Sequence, residues 1–300
     1  MAPDMRLKCE STNMGRYYDV LKEAAGDPAS LDGRDDAKQL HPPVEHSGET
    51  AATPPGPPPS IPPCAPAISN GTAPPLKVLF DLRAPVIPHA ADQIVVEHYR
   101  RLRTKLLQEH EMSPFRQLLV ASPNPREGKT VTALNIALSF SMLNDRRVLV
   151  IDGDLRKGSL GKWLSVDGRP GLSNLLEGTA TLDDALLKCD GVSVHVLLRG
   201  TSKVPAGELL NSVDFRRRMQ EISERFDLVV VDSPPLNLVT DAQLLAQCCD
   251  AVVVVARAFS TTRKSFEKAV QDLQPFRVVG AVLNGDSHGR QLYRRYNHYY

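Results

Sequence analysis

The sequence predicts a single doubly wound α/β domain with a mostly parallel sheet, spanning residues 92–284 of a 300-residue chain. Three observations lead there. The short apolar runs in "RQLLVAS", "RRVLVID", "DLVVVDS" and "DAVVVVAR" do not alternate polar and apolar residues, the mark of strands covered on both faces. Almost every run is followed by a segment with helical spacing, so the strands are joined by crossovers and lie parallel. The texture also changes at Asp92: residues 24–91, typified by "PPGPPPSIPPCAPAISNGTAPP", are rich in proline and small polar residues and read as a disordered or polyproline linker.

Taken in order, residues 1–23 hold one candidate amphipathic helix in "RYYDVLKEAA", for which a frayed terminus is an equal explanation. From Asp92, "DQIVVEHYRRLRTKLLQEHE" has apolar residues at three-to-four spacing and predicts a charged helix. "RQLLVAS" follows as a buried strand, and "GKTVTALNIALSFSML" as a helix. Next come strand "RRVLVID", small helices in "GLSNLLEG" and "LDDALLKC", strand "VHVLLRG" and helix "SVDFRRRMQEISERF". Strand "DLVVVDS", helix "TDAQLLAQCC", strand "DAVVVVAR", helix "TRKSFEKAVQDLQ" and strand "FRVVGAVLN" complete the domain. Residues 285–300 form a tail.

A formal net charge of +1 argues against a nucleic-acid-coating protein. Five cysteines, Cys9, Cys64, Cys189, Cys248 and Cys249, show neither a CxxC pair nor a zinc spacing and read as reduced thiols. No run of about 18 apolar residues is present to span a bilayer, and the first residues lack the apolar core of a secretory signal. The expectation is a cytoplasmic protein without direct membrane insertion.

Chemistry concentrates at the strand ends. In "ASPNPREGKTVTALNIA", Gly128, Lys129 and Thr130 sit where a strand meets a helix and supply the GK[ST] end of a phosphate loop. There, helix-start amides cradle phosphates, the lysine reaches the β/γ oxygens and the hydroxyl binds Mg²⁺. Pro123 stands where the first glycine of that motif is usual. The nucleotide-binding run is taken as Pro125, Arg126, Glu127, Gly128, Lys129, Thr130 and Val131. Asp152 and Asp154 fall at one strand tip and Asp232 at another. All carboxyl ends of a parallel sheet share one rim, so these three carboxylates should meet Lys129. Asp232 with Thr130 suits Mg²⁺ bound to ATP, and a further carboxylate near the γ-phosphate suits a base for an incoming hydroxyl.

These segments, "EHYRRLRTKL", "SPNPREGKT", "VLVIDGDLRKG" and "FDLVVVDSPPLNLVTDA", together resemble the N-terminal helix, Walker A, Walker A′ and Walker B motifs of the bacterial tyrosine kinases of capsule and exopolysaccharide assembly. The resemblance covers residues 92–300. It implies an ATP- and Mg²⁺-dependent protein-tyrosine autokinase regulating polysaccharide synthesis or export. In such a kinase Lys129 and Thr130 bind phosphates and metal, Asp152 activates the acceptor tyrosine, and Asp154 and Asp232 support the metal. Glu97, Arg100 and Arg103 match E-x-x-R-x-x-R, which implies contacts between subunits of a homo-oligomeric ring. "VPAGELLNS" is similar to the family's NPxELL segment, and Asn284 by resemblance touches adenine, although asparagine is also ordinary at a loop entry. The resemblance further implies a transmembrane activator of the polysaccharide co-polymerase type, holding the kinase at the inner face of the plasma membrane. Arg126 departs from a glycine common in the family's loop. The same sheet and aspartates also suit a Min- or Par-type partition ATPase, whose signature lysine position is occupied here by Asn124.

Four of the seven tyrosines, Tyr293, Tyr296, Tyr299 and Tyr300, crowd into the tail beside Arg290, Arg294 and Arg295. The resemblance makes them autophosphorylation sites. Each phosphate would add about −1.5 to −2 charges to a segment with a small positive excess.

Overall fold

The computed structural model describes residues 75–76, 93–143, 146–166, 168–189 and 191–286. All of them belong to the unit Pro66–Tyr300. The candidate helix within 1–23 and the tail tyrosines lie outside the described residues, as does all of the expected linker except Pro75–Leu76.

The chain runs β1 (Pro75–Leu76), α1 (Gln93–Met112), β2 (Gln117–Ala121), α2 (Lys129–Ser141), β3 (Val148–Asp152), α3 (Leu160–Trp163), α4 (Leu172–Leu176), α5 (Leu182–Ala185), β4 (Leu186–Cys189) and β5 (Val194–Leu197). It continues through α6 (Ala206–Leu210), α7 (Val213–Arg225), β6 (Leu228–Asp232), α8 (Asp241–Ala246), β7 (Ala251–Arg257), α9 (Arg263–Asp272) and β8 (Val278–Asn284). The strands form one sheet in the order β1-β4-β5-β3-β6-β2-β7-β8. Every pair is parallel except β4 with β5. The doubly wound α/β fold expected from the strand texture is therefore present. The three central strands β3, β6 and β2 are buried at every position, which is why their sequences show no alternation.

The sequence places a small helix in "LDDALLKC" and no strand; the helix is Leu182–Ala185, and the second half of the segment, Leu186–Cys189, is the strand β4. The Thr181 hydroxyl accepts from the Asp184 amide and the Asp184 carboxylate accepts from the Thr181 amide, a capping box that starts the turn. Leu186, Leu187 and Lys188 then pair antiparallel with Leu197, Val196 and His195. Pairing with an open strand and burial of both leucines outweigh the modest helical propensity of Ala-Leu-Leu-Lys. Pro75–Leu76, inside the stretch expected to be linker, pairs with Lys188–Cys189.

The helices bury the faces their spacing assigns. In α7, Phe215, Met219 and Ile222 recur at i, i+4 and i+7 and are buried, and the Ser212 hydroxyl caps the helix by accepting from the Phe215 amide at 3.1 Å. The helix α2 is buried along nearly all its length, because it lies on the sheet with α1 across its outer side. Arg103 fixes that second contact: its Nη1 donates to the Ser139 carbonyl at 2.5 Å, while Ser139 Oγ donates to the Tyr99 carbonyl at 3.3 Å. At the end of the sheet away from the site, the Asp250 carboxylate accepts from the amides of Arg116 and Gln117, and Asp227 accepts from that of Arg147. The strand starts are thereby fixed.

Candidate active site

Sheet register brings the acidic residues together. Asp152 and Asp232 end neighbouring strands β3 and β6 and are direct partners in the ladder, and Val120 of β2 is the partner of Asp232 on its other side. Adjacent strands lie about 4.8 Å apart, so the two carboxylates and the loop leaving β2 share one small part of the rim. Gly153, between the two aspartates of the β3 tip, donates its amide to the Asp232 carbonyl at 2.8 Å. A Cβ there would stand 2.8 Å from that oxygen and 2.9 Å from Leu245 Cδ1, so glycine is what permits the strand ends to touch.

The loop from β2 to α2 is built largely without glycine and is braced from outside. Arg126 adopts φ 65, in the left-handed region that glycine favours, and its carbonyl accepts from Arg257 Nη1 at 3.1 Å. Arg126 thus holds a backbone conformation that a glycine adopts at less cost. Glu127 is 2% exposed, and its carboxylate faces inward. It accepts from the Asn124 amide and side chain at 2.8 and 2.9 Å, and from the Thr261 hydroxyl. Ser265 donates to Asn124 Oδ1, and Asn237 donates to Ser265. The side chain of Glu127 therefore shapes the loop, with its acceptors spent on the protein.

At the helix start Gly128 has φ 95, and a Cβ would fall 1.9 Å from Asn284 Nδ2. Asn284, the last residue of β8, donates that nitrogen to the Glu127 carbonyl at 2.9 Å. The final strand thus ends at the phosphate loop, as its parallel course required. Gly128→Ala should force both a strained backbone and loss of the Asn284 contact. The expected cost is about 1–3 kcal/mol of stability, measured by urea unfolding.

Thr130, at the second position of α2, donates its hydroxyl to Asp232 Oδ2 at 2.6 Å. Asp232 is fully buried, and its other oxygen, Oδ1, has no partner. Burial pushes its carboxyl up to about 7, with Lys129 pulling it down and Asp152 pushing it further up. A buried carboxylate oxygen with no donor, beside a threonine hydroxyl and a lysine, fits a divalent cation that arrives with an anionic ligand. Among the described residues no group of three or more His, Cys, Asp and Glu side chains makes a metal cage of its own. Mg²⁺ characteristically takes one or two protein ligands and completes its shell with phosphates and water.

Asp152 is 1% exposed and shapes the loop that follows it. Its Oδ2 accepts from the amides of Ser159 and Leu160, each at 3.0 Å, and Oδ1 accepts from that of Asp154 at 3.3 Å. Burial pushes Asp152 up to about 6; the Leu160 amide lowers it and the Asp154 charge raises it. Asp154 accepts from the Lys157 amide at 3.0 Å. Arg156 clamps the nearly buried Asp241 through two bonds of 2.7 and 3.0 Å, tying this loop to α8. That clamp, the Glu127 network and the approach of the Ser159 hydroxyl to that of Thr130 at 2.8 Å leave no signal in the sequence, since each joins residues separated by 29 or more positions or turns a motif residue inward.

The expected interface residues divide. Glu97 lies 3.8 Å from Arg100 and 3.6 Å from Arg101 on the outer side of α1, whereas Arg103 is bonded inward to Ser139.

A phosphate loop opening a helix, with a threonine and paired carboxylates at neighbouring strand ends, defines a P-loop nucleotide-binding domain. Comparison with known proteins narrows the class. The chain is 33% identical over 195 residues to the tyrosine-protein kinase ptk of Acinetobacter johnsonii, covering 65% of this chain and 26% of that one. It is 32% identical over 191 residues to the tyrosine-protein kinase CpsD of Streptococcus pneumoniae serotype 4, covering 63% and 83%. The kinase domain of the Escherichia coli tyrosine kinase ETK superposes with a TM-score of 0.61 at 30% identity, covering 64% of this chain and 75% of that domain. No protein-family profile matches. The chain belongs to the bacterial tyrosine kinases. It spans about a quarter of the Acinetobacter relative and most of the pneumococcal one. The septum site-determining protein MinD of Pyrococcus horikoshii, at 22% identity and a TM-score of 0.50, shares the fold alone. The partition-ATPase alternative rests on no more than that distant relation.

Proposed function

We propose that this chain transfers the γ-phosphoryl group of ATP to tyrosine hydroxyls, its own Tyr293, Tyr296, Tyr299 and Tyr300 among them, and that the reaction regulates capsule or exopolysaccharide synthesis or export. The observation that carries the reading is the in-register pair Asp152 and Asp232, with the Thr130 hydroxyl on Asp232 at 2.6 Å. Two carboxylates side by side exceed what holding a nucleotide requires; one suits the metal and the other suits a proton.

Thr130, Asp232 and Asp154 would hold Mg²⁺, which when bound supplies positive charge against the β/γ phosphates. Lys129, with the loop from Pro125 to Val131, binds and orients the phosphates. Asp152 takes the proton of the tyrosine hydroxyl as its oxygen bonds to the γ-phosphorus, and the bond to the β-phosphate oxygen breaks to release ADP. A phenol with a pKa of about 10 needs such a base at neutral pH. Asn284 supports delivery of the tail, because β8 ends against the phosphate loop and the sixteen residues from Gly285 reach at most about 50 Å. The adenine contact of Asn284 belongs to the same reading.

The outward pair Glu97 and Arg100 supports a homo-oligomeric ring, with Arg103 contributing by fixing α1 to α2. Among the described residues no helix is long and apolar enough to cross a membrane. The proposal also includes a separate transmembrane activator of the polysaccharide co-polymerase type, as the resemblance to the family implies, that brings the kinase to the inner face of the membrane.

A phosphotyrosine blot after incubation of the full chain with ATP and Mg²⁺, with and without a co-expressed membrane activator, tests the reading. Signal is expected in the intact protein and is expected to disappear in Lys129→Met and in a truncation after Gly289. ATP hydrolysis with no label would instead indicate a partition-type ATPase.

A further inference from the structure

The hydroxyl of Ser159 lies 2.8 Å from that of Thr130, across 29 residues of sequence. Proton accounting orients the pair. Thr130 has a single hydroxyl proton and donates it to Asp232 Oδ2 at 2.6 Å, so Ser159 is the donor to Thr130 Oγ1. One lone pair of Thr130 is then taken by Ser159, and one remains for a cation.

Threonine in a helix divides between two rotamers, because its hydroxyl also bonds carbonyls three or four residues back. For Thr130 these are the carbonyls of Glu127 and Arg126, which already accept from Asn284 Nδ2 and Arg257 Nη1. Ser159 and Asp232 together select the rotamer that faces the site. The amide of the same Ser159 donates to Asp152 Oδ2 at 3.0 Å. A single residue thus touches both the metal-side hydroxyl and the carboxylate assigned to the acceptor proton.

We propose that Ser159 is a positioning residue of the Mg²⁺ site, setting the Thr130 hydroxyl for the metal while holding Asp152 beside it. The assignment rests on the nucleotide reading given above. It predicts a defect specific to the metal, since Ser159 touches neither the Glu127 network nor Asn284.

The test is binding of a fluorescent ADP analogue to the full-length chain, titrated with Mg²⁺, for the wild type, Ser159→Ala and Ser159→Thr. In Ser159→Ala the Mg²⁺ concentration at half-effect should rise about 3- to 10-fold, as loss of one hydrogen bond gives. Affinity for the analogue in EDTA should stay unchanged, and Ser159→Thr should restore the wild-type midpoint within about 2-fold. An unmoved Mg²⁺ midpoint in Ser159→Ala overturns the assignment. So does an equal loss of affinity in EDTA, which would mark a general collapse of the loop. If Ser159→Ala does not fold, as judged by circular dichroism, Ser159→Cys takes its place with the same two criteria, being of similar size and a poor donor. A wild-type chain whose affinity ignores Mg²⁺ overturns the nucleotide reading as well, so the two failures are distinct.

Discussion

Asp152→Asn is expected to slow phosphotyrosine formation by about 10²- to 10⁴-fold. The wild-type carboxyl is buried and pushed up to about 6, so at pH 7.5 it is mostly ionised and a stronger base than an ordinary aspartate. Asparagine removes the proton acceptor. It also disturbs the surrounding loop, because the carboxylate receives amides on both oxygens, from Ser159 and Leu160 on one and Asp154 on the other. An amide side chain offers one oxygen and turns an NH₂ group toward the remaining donor. Nucleotide binding should suffer less, within about 3-fold, since the phosphate loop is braced independently by Glu127 and Asn284. Initial rates on phosphotyrosine blots, beside the affinity for a fluorescent ADP analogue, separate these effects. A rate within a few-fold of wild type would remove Asp152 from the reaction.

The parts of this site legible in sequence are those that depend on strand order and local motif. "VLVID" and "LVVVD" each end in aspartate because each strand ends at the rim, and a parallel sheet places all such ends together. Gly128, Lys129 and Thr130 were readable because the phosphate loop has a local pattern. The antiparallel turn of Leu186–Cys189 was not readable, because its strand character comes from pairing with β5 and its own residues favour helix. Arg103 reads like its neighbours Arg100 and Arg101, and only the packing of α1 on α2 turns it toward Ser139. Glu127 belongs by sequence to the nucleotide-binding run Pro125–Val131; the inward turn of its side chain depends on Thr261, 134 positions later. Long-range hydrogen bonds leave no periodic signal, so the shape of the site was legible while the supports beneath it were not.

Asp232→Asn is expected to stabilise the nucleotide-free protein while weakening Mg²⁺-dependent nucleotide binding by about 10-fold or more. The two effects have one cause. Asp232 is fully buried, with one oxygen lacking a donor and Asp152 beside it in the ladder. Its folded pKa of about 7 exceeds the unfolded value of about 3.9. Between those values the folded chain holds more protons than the unfolded one, so this group's contribution to stability falls as pH rises from about 4 to 7 and stays low above. Asparagine carries no charge to desolvate. Its oxygen can still accept from Thr130, and its NH₂ group can face Asp152 as a donor. At pH 8 the variant should therefore melt higher by roughly 2–6 °C, corresponding to about 1–2 kcal/mol for a domain of this size. The gain should shrink toward zero at pH 5, where the wild-type carboxyl is itself protonated in the folded state. Thermal melts at both pH values, with and without Mg²⁺ and ADP, check the signs. A variant no more stable than wild type at pH 8 would mean that the buried carboxylate is already compensated within the protein, leaving no electrostatic vacancy for a metal to fill.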